Sequence, residues 1–260
     1  TKNKAVPTFA VPTTAGTGSE TTIAAVVVDP KTHHKFSIMD PVLRPAYAVL
    51  DPCLTLSLPK HITSTTGMDA LTHAVEAYIG RSNVKETIED AEIAVKLIFE
   101  NLERAYQNGQ DIDARMKMLQ ASFHGGLAFT HAFVGYVHAI AHALGGLYNV
   151  PHGLANAVIL PYILEYFGDS IYRQLAKLSD IVELEDKSES DEVKAKSFIN
   201  EIKSMNARMD IPKQFDCIKE KDVKTIVSRA LSEANPLYPV PKIMNAQECE
   251  EIVRKIASNL

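Results

Sequence analysis

The amino-acid sequence has no surplus of positive charge. Across 260 residues, 27 Lys and Arg face 32 Asp and Glu, a net of −5. Nucleic-acid affinity rests on clustered basic residues, so this balance excludes a polyanion as the main partner. Cysteine is scarce as well. Cys53, Cys217 and Cys249 are odd in number, far apart and form no CxxC pair. That excludes a zinc ribbon and predicts a reducing, cytoplasmic setting. There is no internal repeat, no low-complexity tract, no GxGxxG and no P-loop. No signal peptide opens the chain. It begins at Thr1 and runs straight into β-type sequence, the expectation for a piece of something longer. What the sequence does have is core-forming material, 46% hydrophobic against 23% charged. A chain of this size buries roughly three quarters of its unfolded surface, so it needs no disulfide or structural metal to fold.

Asp, Glu, Lys and Arg are all missing between Met118 and Leu164, a run long enough to raise the question of a membrane. The run is broken by Gly125-Gly126, Gly145-Gly146 and Pro151, and it carries His124, His131, His138, His142 and His152. Five histidines and three breaks suit helices buried inside a large helical domain better than helices facing lipid. The expectation is a protein without a membrane partner.

The first 58 residues differ from the rest. Ala5–Val11, Ile23–Val28, Lys35–Met39 and Ala46–Leu50 are short strand candidates, with VPTTAGTGSETT between the first two. Strands this short make a poor independent sheet and suit the edge of a larger one. From residue 59 to 260 the pattern is helical. Thr63–Ile79 reads as a helix with a kink near Gly67, and Ile88, Ala91, Val95, Ile98 and Leu102 recur at steps of three and four. A further helix starts near Asp113. Val223, Ile226, Val227, Ala230 and Leu231 repeat the stripe, as do Cys249, Ile252, Val253 and Ile256. The acidic cluster around Glu183–Glu192 has no apolar period and reads as a solvated loop or helix start. The fold class is mainly α, a multi-helix domain of eight to ten helices behind a short β remnant.

Two segments carry chemistry. In GMDALTHAVEAYI, Asp69 and His73 stand one turn apart on one face of a nearly all-apolar helix. A carboxylate buried there needs a positive partner, and with the imidazole it can hold a divalent cation. In GYVHAIAHALGGLYNVPHGLANAVILPY, His138 and His142 repeat the spacing of four. Gly145-Gly146 should end that helix, and Pro151 should open the next with His152 in its first turn. The partial positive charge at that helix end keeps the imidazole neutral. Any one of these residues has a plain alternative, as a surface Asp–His pair or a hydrogen-bonded core histidine. Several together in apolar surroundings favour a metal, and imidazoles with a carboxylate suit zinc or ferrous iron over magnesium or calcium. His33, His34 and His61 read as solvent exposed, and His124 and His131 as helix packing near the site.

VPTTAGTGSETT, DPKTHHKF, TSTTGMDALTHAVEAYI, HAIAHALGGLYNVPHGLANAVILPY and ANPLYPVPKIM together resemble the iron-containing (group III) alcohol dehydrogenases, in that family's order and over nearly the whole chain. The resemblance implies a dehydroquinate synthase-like α domain and places the family's four metal ligands on Asp69, His73, His138 and His152. It makes His142 a proton relay near the ion, and Thr13, Thr14, Thr17, Thr22 and Lys35 the lining of a dinucleotide cleft. It implies reversible hydride transfer between a primary alcohol or small diol and NAD or NADP, with Fe2+ or Zn2+ as the ion, in a homodimer or higher oligomer. The family's amino-terminal dinucleotide-binding half, with its Gly-Gly-Gly-Ser segment, is absent from this sequence. One further reading is therefore a metal-binding fragment or pseudoenzyme without turnover. A metal-dependent lyase of the dehydroquinate-synthase type is another, but that family's zinc set is a Glu and two His. Phe123, Phe129 and Phe133 are candidate walls of a substrate pocket.

Overall fold

The computed structural model describes residues 6–32 and 35–260, so the His33-His34 pair lies outside the described residues. Four short strands come first: β1 (Phe9–Ala10), β2 (Ala24–Val28), β3 (Lys35–Met39) and β4 (Tyr47–Ala48). They form two separate pairs. β1 and β4 run parallel, with Phe9 opposite Tyr47, and β2 and β3 form an antiparallel hairpin with Ala24 opposite Met39. Much of this apolar surface is open, including Phe9, Val26, Val28, Ile38 and Tyr47.

Helices occupy the rest: α1 (Lys60–Ile79), α2 (Lys85–Gln107), α3 (Ile112–Ala132), α4 (Tyr136–Tyr148), α5 (His152–Phe167), α6 (Tyr172–Ile181), α7 (Asp191–Arg208), α8 (Val223–Ala234) and α9 (Ala246–Lys255). The mainly helical class expected from the sequence is what forms. The apolar stripes explain why. Ala91, Val95, Ile98 and Leu102 on α2, and Cys249, Ile252 and Val253 on α9, are buried, while the intervening charged positions face water. The acidic cluster is a loop running into α7, where the Ser190 hydroxyl accepts from the Val193 N–H beside Asp191 and Glu192.

Helix α1 is the axle. It packs against α2, α3 and α5, and α4 packs against α5 and α8. Helix α1 runs through Gly67 without a break. A Cβ there would collide with the Leu102 side chain, so the glycine lets α1 and α2 approach closely. The charge-free run becomes the end of α3, all of α4 and most of α5. Among the described residues no single helix is long and apolar enough to cross a membrane, and α3 and α4 meet at 102°. That corner is made by Phe133, held at φ 64°, a conformation costing about 1–3 kcal/mol for a non-glycine residue.

Helix α4 does not end at Gly145-Gly146 as the sequence suggested. It continues to Tyr148 and stops at Asn149, whose left-handed backbone directs its N–H to the Gly145 carbonyl. Leu147 and Tyr148 pack on the core, and the Tyr148 hydroxyl donates to Asp222. Those contacts outweigh a helix cost of about 1 kcal/mol per glycine.

Pro161 lies inside α5 and has no N–H, so the Ala157 carbonyl one turn earlier loses its helical partner. The Asn206 amide of α7 donates to that carbonyl at 2.7 Å in a buried setting. Replacing Asn206 with Ala should cost about 1–3 kcal/mol by stranding the acceptor. Adding Pro161→Ala, which returns the missing N–H, should recover part of that loss. Urea unfolding of the two single variants and the double variant checks both statements.

Candidate metal centre

Three helices bring the donors together. Asp69 and His73 come from α1, His138 from the first turn of α4 and His152 from the first residue of α5. Pro151 sits just before α5 as its N-terminal cap rather than inside the first turn. Gly153 allows this placement, since a Cβ there would run into the Thr65 carbonyl of α1. One donor atom from each of the four residues lies within 4.8 Å of the others. Asp69 Oδ1 is 4.0 Å from His73 Nε2, 3.8 Å from His138 Nε2 and 3.6 Å from His152 Nε2. Donors on a tetrahedral ion with bonds of about 2.1 Å stand roughly 3.4 Å apart, so the three Asp69–imidazole distances are only slightly wider than one ion requires. Three imidazoles and one carboxylate match the preference of zinc or ferrous iron. The residues fit the group.

The protonation states fit as well. Burial holds the His73 imidazole below its usual value, His138 well below, and His152 down to about 4. All three rings are therefore neutral near pH 7, the state in which an imidazole can ligate an ion.

Residues the sequence reading did not single out hold the cage in place. Glu76, one turn beyond His73 on α1, is buried and accepts from the N–H groups of Gly135 (2.9 Å) and Val137 (2.8 Å). Its Oε2 lies 2.6 Å from His138 Nδ1, which leaves Nε2 of that ring facing the cage. Burial pushes the Glu76 carboxyl up to about 8, against the pull of those three partners. Asn156, one turn beyond His152, is fully buried, and its amide donates to Asp69 Oδ1 at 2.6 Å. Both were within reach of sequence, since spacings of three and four from a candidate ligand put them on its face. Glu233 and Tyr238 had no such signal. Glu233 Oε1 lies 2.6 Å from His142 Nδ1 and accepts from the Tyr238 hydroxyl at 2.7 Å.

The donors open onto a cavity of about 350 Å3 between the β2–β3 hairpin and the helices. Of the residues expected near a cofactor, Thr17, Thr22 and Lys35 line it together with His142, while Thr13 and Thr14 do not. Gly18 takes φ +58° and lies against Gly126 of α3, which brings the loop holding Thr17 down onto the helices. Burial lowers the Lys35 ammonium, opposed by the negative charges of Asp69 and Glu233. Phe129 and Phe133 form walls, and Phe129 stacks on His73 with ring centres 4.2 Å apart. Phe123 is not a wall; it meets His124 edge-on. His124 binds Asp90 across the α2–α3 packing at 2.8 Å. His131 is exposed rather than packed, because the last turn of α3 presents it to solvent. His61 is exposed, as expected.

The depressed histidines make metal-free stability depend on pH. An unfolded histidine protonates near 6.5, so for His152 the unfolded state holds the extra proton between about 6.5 and about 4, and the lowered His73 and His138 act in the same direction. Stability should fall as pH drops through that window. Glu76 acts in the opposite sense from about 4.5 to about 8, one group against three. Urea midpoints of chelator-treated protein at pH 6.5 and 4.5 check this, with the lower midpoint expected at pH 4.5.

The sequence pattern described as "Fe-containing alcohol dehydrogenase family, C-terminal" matches residues 63–257, and that of "Iron-containing alcohol dehydrogenase" matches residues 1–52. The chain is similar to a 1,3-propanediol dehydrogenase of Citrobacter freundii, with 40% identity over 258 residues, covering 97% of this chain and 66% of the relative. It is also similar to an NAD-dependent methanol dehydrogenase of Bacillus methanolicus, 33% identical over 96% of this chain and 66% of that protein. It thus spans just under two thirds of the length of these relatives. A crystal structure of a 1,3-propanediol oxidoreductase superposes with a TM-score of 0.94 at 37% identity, covering 98% of this chain and 67% of that one. The match over residues 63–257, with that fold around the Asp69, His73, His138 and His152 cage, places the chain in the iron-containing alcohol dehydrogenase family.

Proposed function

We propose that this chain is the metal-binding part of an enzyme that moves hydride reversibly between a small primary alcohol or diol and NAD(P). The observation that carries the reading is the shared cavity. The Asp69, His73, His138 and His152 donors face the same space as Thr17, Thr22 and Lys35. In this proposal residues 1–58 belong to a dinucleotide-binding domain and residues 59–260 to the metal-binding catalytic domain. Iron, or zinc in its place, would supply Lewis-acid polarisation of the alcohol oxygen, and the nicotinamide would accept the hydride.

The chain's own residues do the rest. Phe129 and Phe133 hold the carbon skeleton and keep water from the reacting carbon. His142, with Nδ1 engaged by Glu233, keeps Nε2 to take the hydroxyl proton and pass it on. Lys35, Thr17 and Thr22 offer donors to the polar parts of a dinucleotide on the hairpin side. The dehydrogenase activity for which the relatives are named supports the reaction class, and the likeness to an NAD-dependent methanol dehydrogenase supports NAD. A homo-oligomer in the cytoplasm, whose thiols stay reduced, completes the proposal; Cys53, Cys217 and Cys249 are unbridged.

The test is alcohol-dependent reduction of NAD+ and NADP+ by this chain extended at its amino terminus to the length of its relatives, with 1,3-propanediol as first substrate. His142→Ala should keep its metal while turnover falls about 10²–10⁴-fold. Metal-replete protein with no turnover on any small alcohol would contradict the proposal.

A further inference from the structure

We propose that Asn156 is a positioning residue for the metal cage, acting through Asp69. The inference rests on the metal-site reading above and extends it to a residue outside the four donors. Asn156 is fully buried on α5, one turn beyond His152. Its Nδ2 lies 2.6 Å from Asp69 Oδ1, 3.1 Å from His138 Nε2 and 3.2 Å from His152 Nε2. The amide is thus in contact with three of the four donor atoms and crosses from α5 to α1 and α4.

The chemistry fixes which way the amide points. All three neighbouring atoms are acceptors: a carboxylate oxygen and the lone pairs of two neutral imidazoles. Turned the other way, the amide oxygen would face three lone pairs with no proton between them. Its oxygen is left buried and without a partner, at a cost of about 1–3 kcal/mol. The orientation persists because the N–H group is needed by Asp69. The Asp69 carboxylate, 2% exposed, sits on the apolar α1 helix. Among the described residues, Asn156 is the side chain that donates a hydrogen bond to it at normal length. The three imidazoles stand at 3.6–4.0 Å, too far for hydrogen bonds. Without Asn156 no other side chain among the described residues holds the carboxylate by a hydrogen bond of normal length, and Oδ1 would be less firmly held toward the three imidazoles. Partners of this kind, bound to a ligating carboxylate, typically contribute 10–100-fold in metal affinity.

The test is cobalt(II) binding to the chain as it stands, purified without a histidine tag and read by the visible absorption of the bound ion and by calorimetry. Asn156→Leu keeps the volume and removes the donor; Asn156→Ala serves as the second variant should the first not fold. Each should raise the cobalt Kd about 10–100-fold. In an Asp69→Ala background the same substitution should change Kd less than about twofold, because its route of action is gone. A Kd in the single variants within about twofold of the parent overturns the inference. So does an equal loss with and without Asp69, which would mean a general packing role. If the parent chain itself took up no cobalt, the metal-site reading would fall first, and the inference with it.

Discussion

A carboxylate buried in an apolar helix sets the terms for this structure. Asp69 is almost wholly enclosed on α1, where an ionised group without a compensating charge is costly. Its immediate neighbours are neutral: three imidazoles that burial keeps unprotonated and one amide. The Lys35 ammonium acts on it only at longer range, from the hairpin side. A divalent cation between Asp69 and the three rings would resolve the imbalance, and the surrounding fold brings the four donors to one point. Helix α1 carries two donors, α4 and α5 are turned onto it by the corner at Phe133 and the close approach at Gly153, and Glu76 and Asn156 hold individual donor atoms.

The same helices define what surrounds the donors. Glu76 spends its carboxylate on two backbone N–H groups at the start of α4 and on His138. It joins the α3–α4 corner to the cage, so that displacing the corner would rotate the ring. On the other side of the cavity, Glu233 from α8 does the same for His142, and Tyr238 shares that carboxylate. Both carboxyl groups are engaged, whereas His73 Nδ1, His152 Nδ1 and Asn156 Oδ1 in the cage itself are buried without a hydrogen-bond partner.

Much of this was legible in the sequence because two periodicities carry it. Spacings of four on apolar helices pointed to Asp69, His73 and His138, and the proline-histidine pair after a break pointed to His152; the structure brings all four together. Stripes on α2, α8 and α9 marked the buried faces. What escaped has physical reasons. Gly145-Gly146 looked like a helix end, but local propensity yields to the packing of Leu147 and Tyr148. His131 sits amid apolar residues in sequence yet faces solvent, because it falls on the outer face of the last turn of α3, whose inner face buries Ala128 and Ala132. Glu233 meets His142, and through Glu233 Tyr238 joins them, only by the tertiary docking of α8 on α4, which no local pattern encodes.

The most direct test of the account is an anomalous difference map, recorded at the iron and zinc absorption edges from crystals of anaerobically purified, untagged protein. The account predicts one peak about 2.0–2.2 Å from Asp69 Oδ1 and from an imidazole nitrogen of His73, His138 and His152. A well-ordered cage without a peak at either edge, or an ion bound elsewhere with these four residues uninvolved, would contradict it.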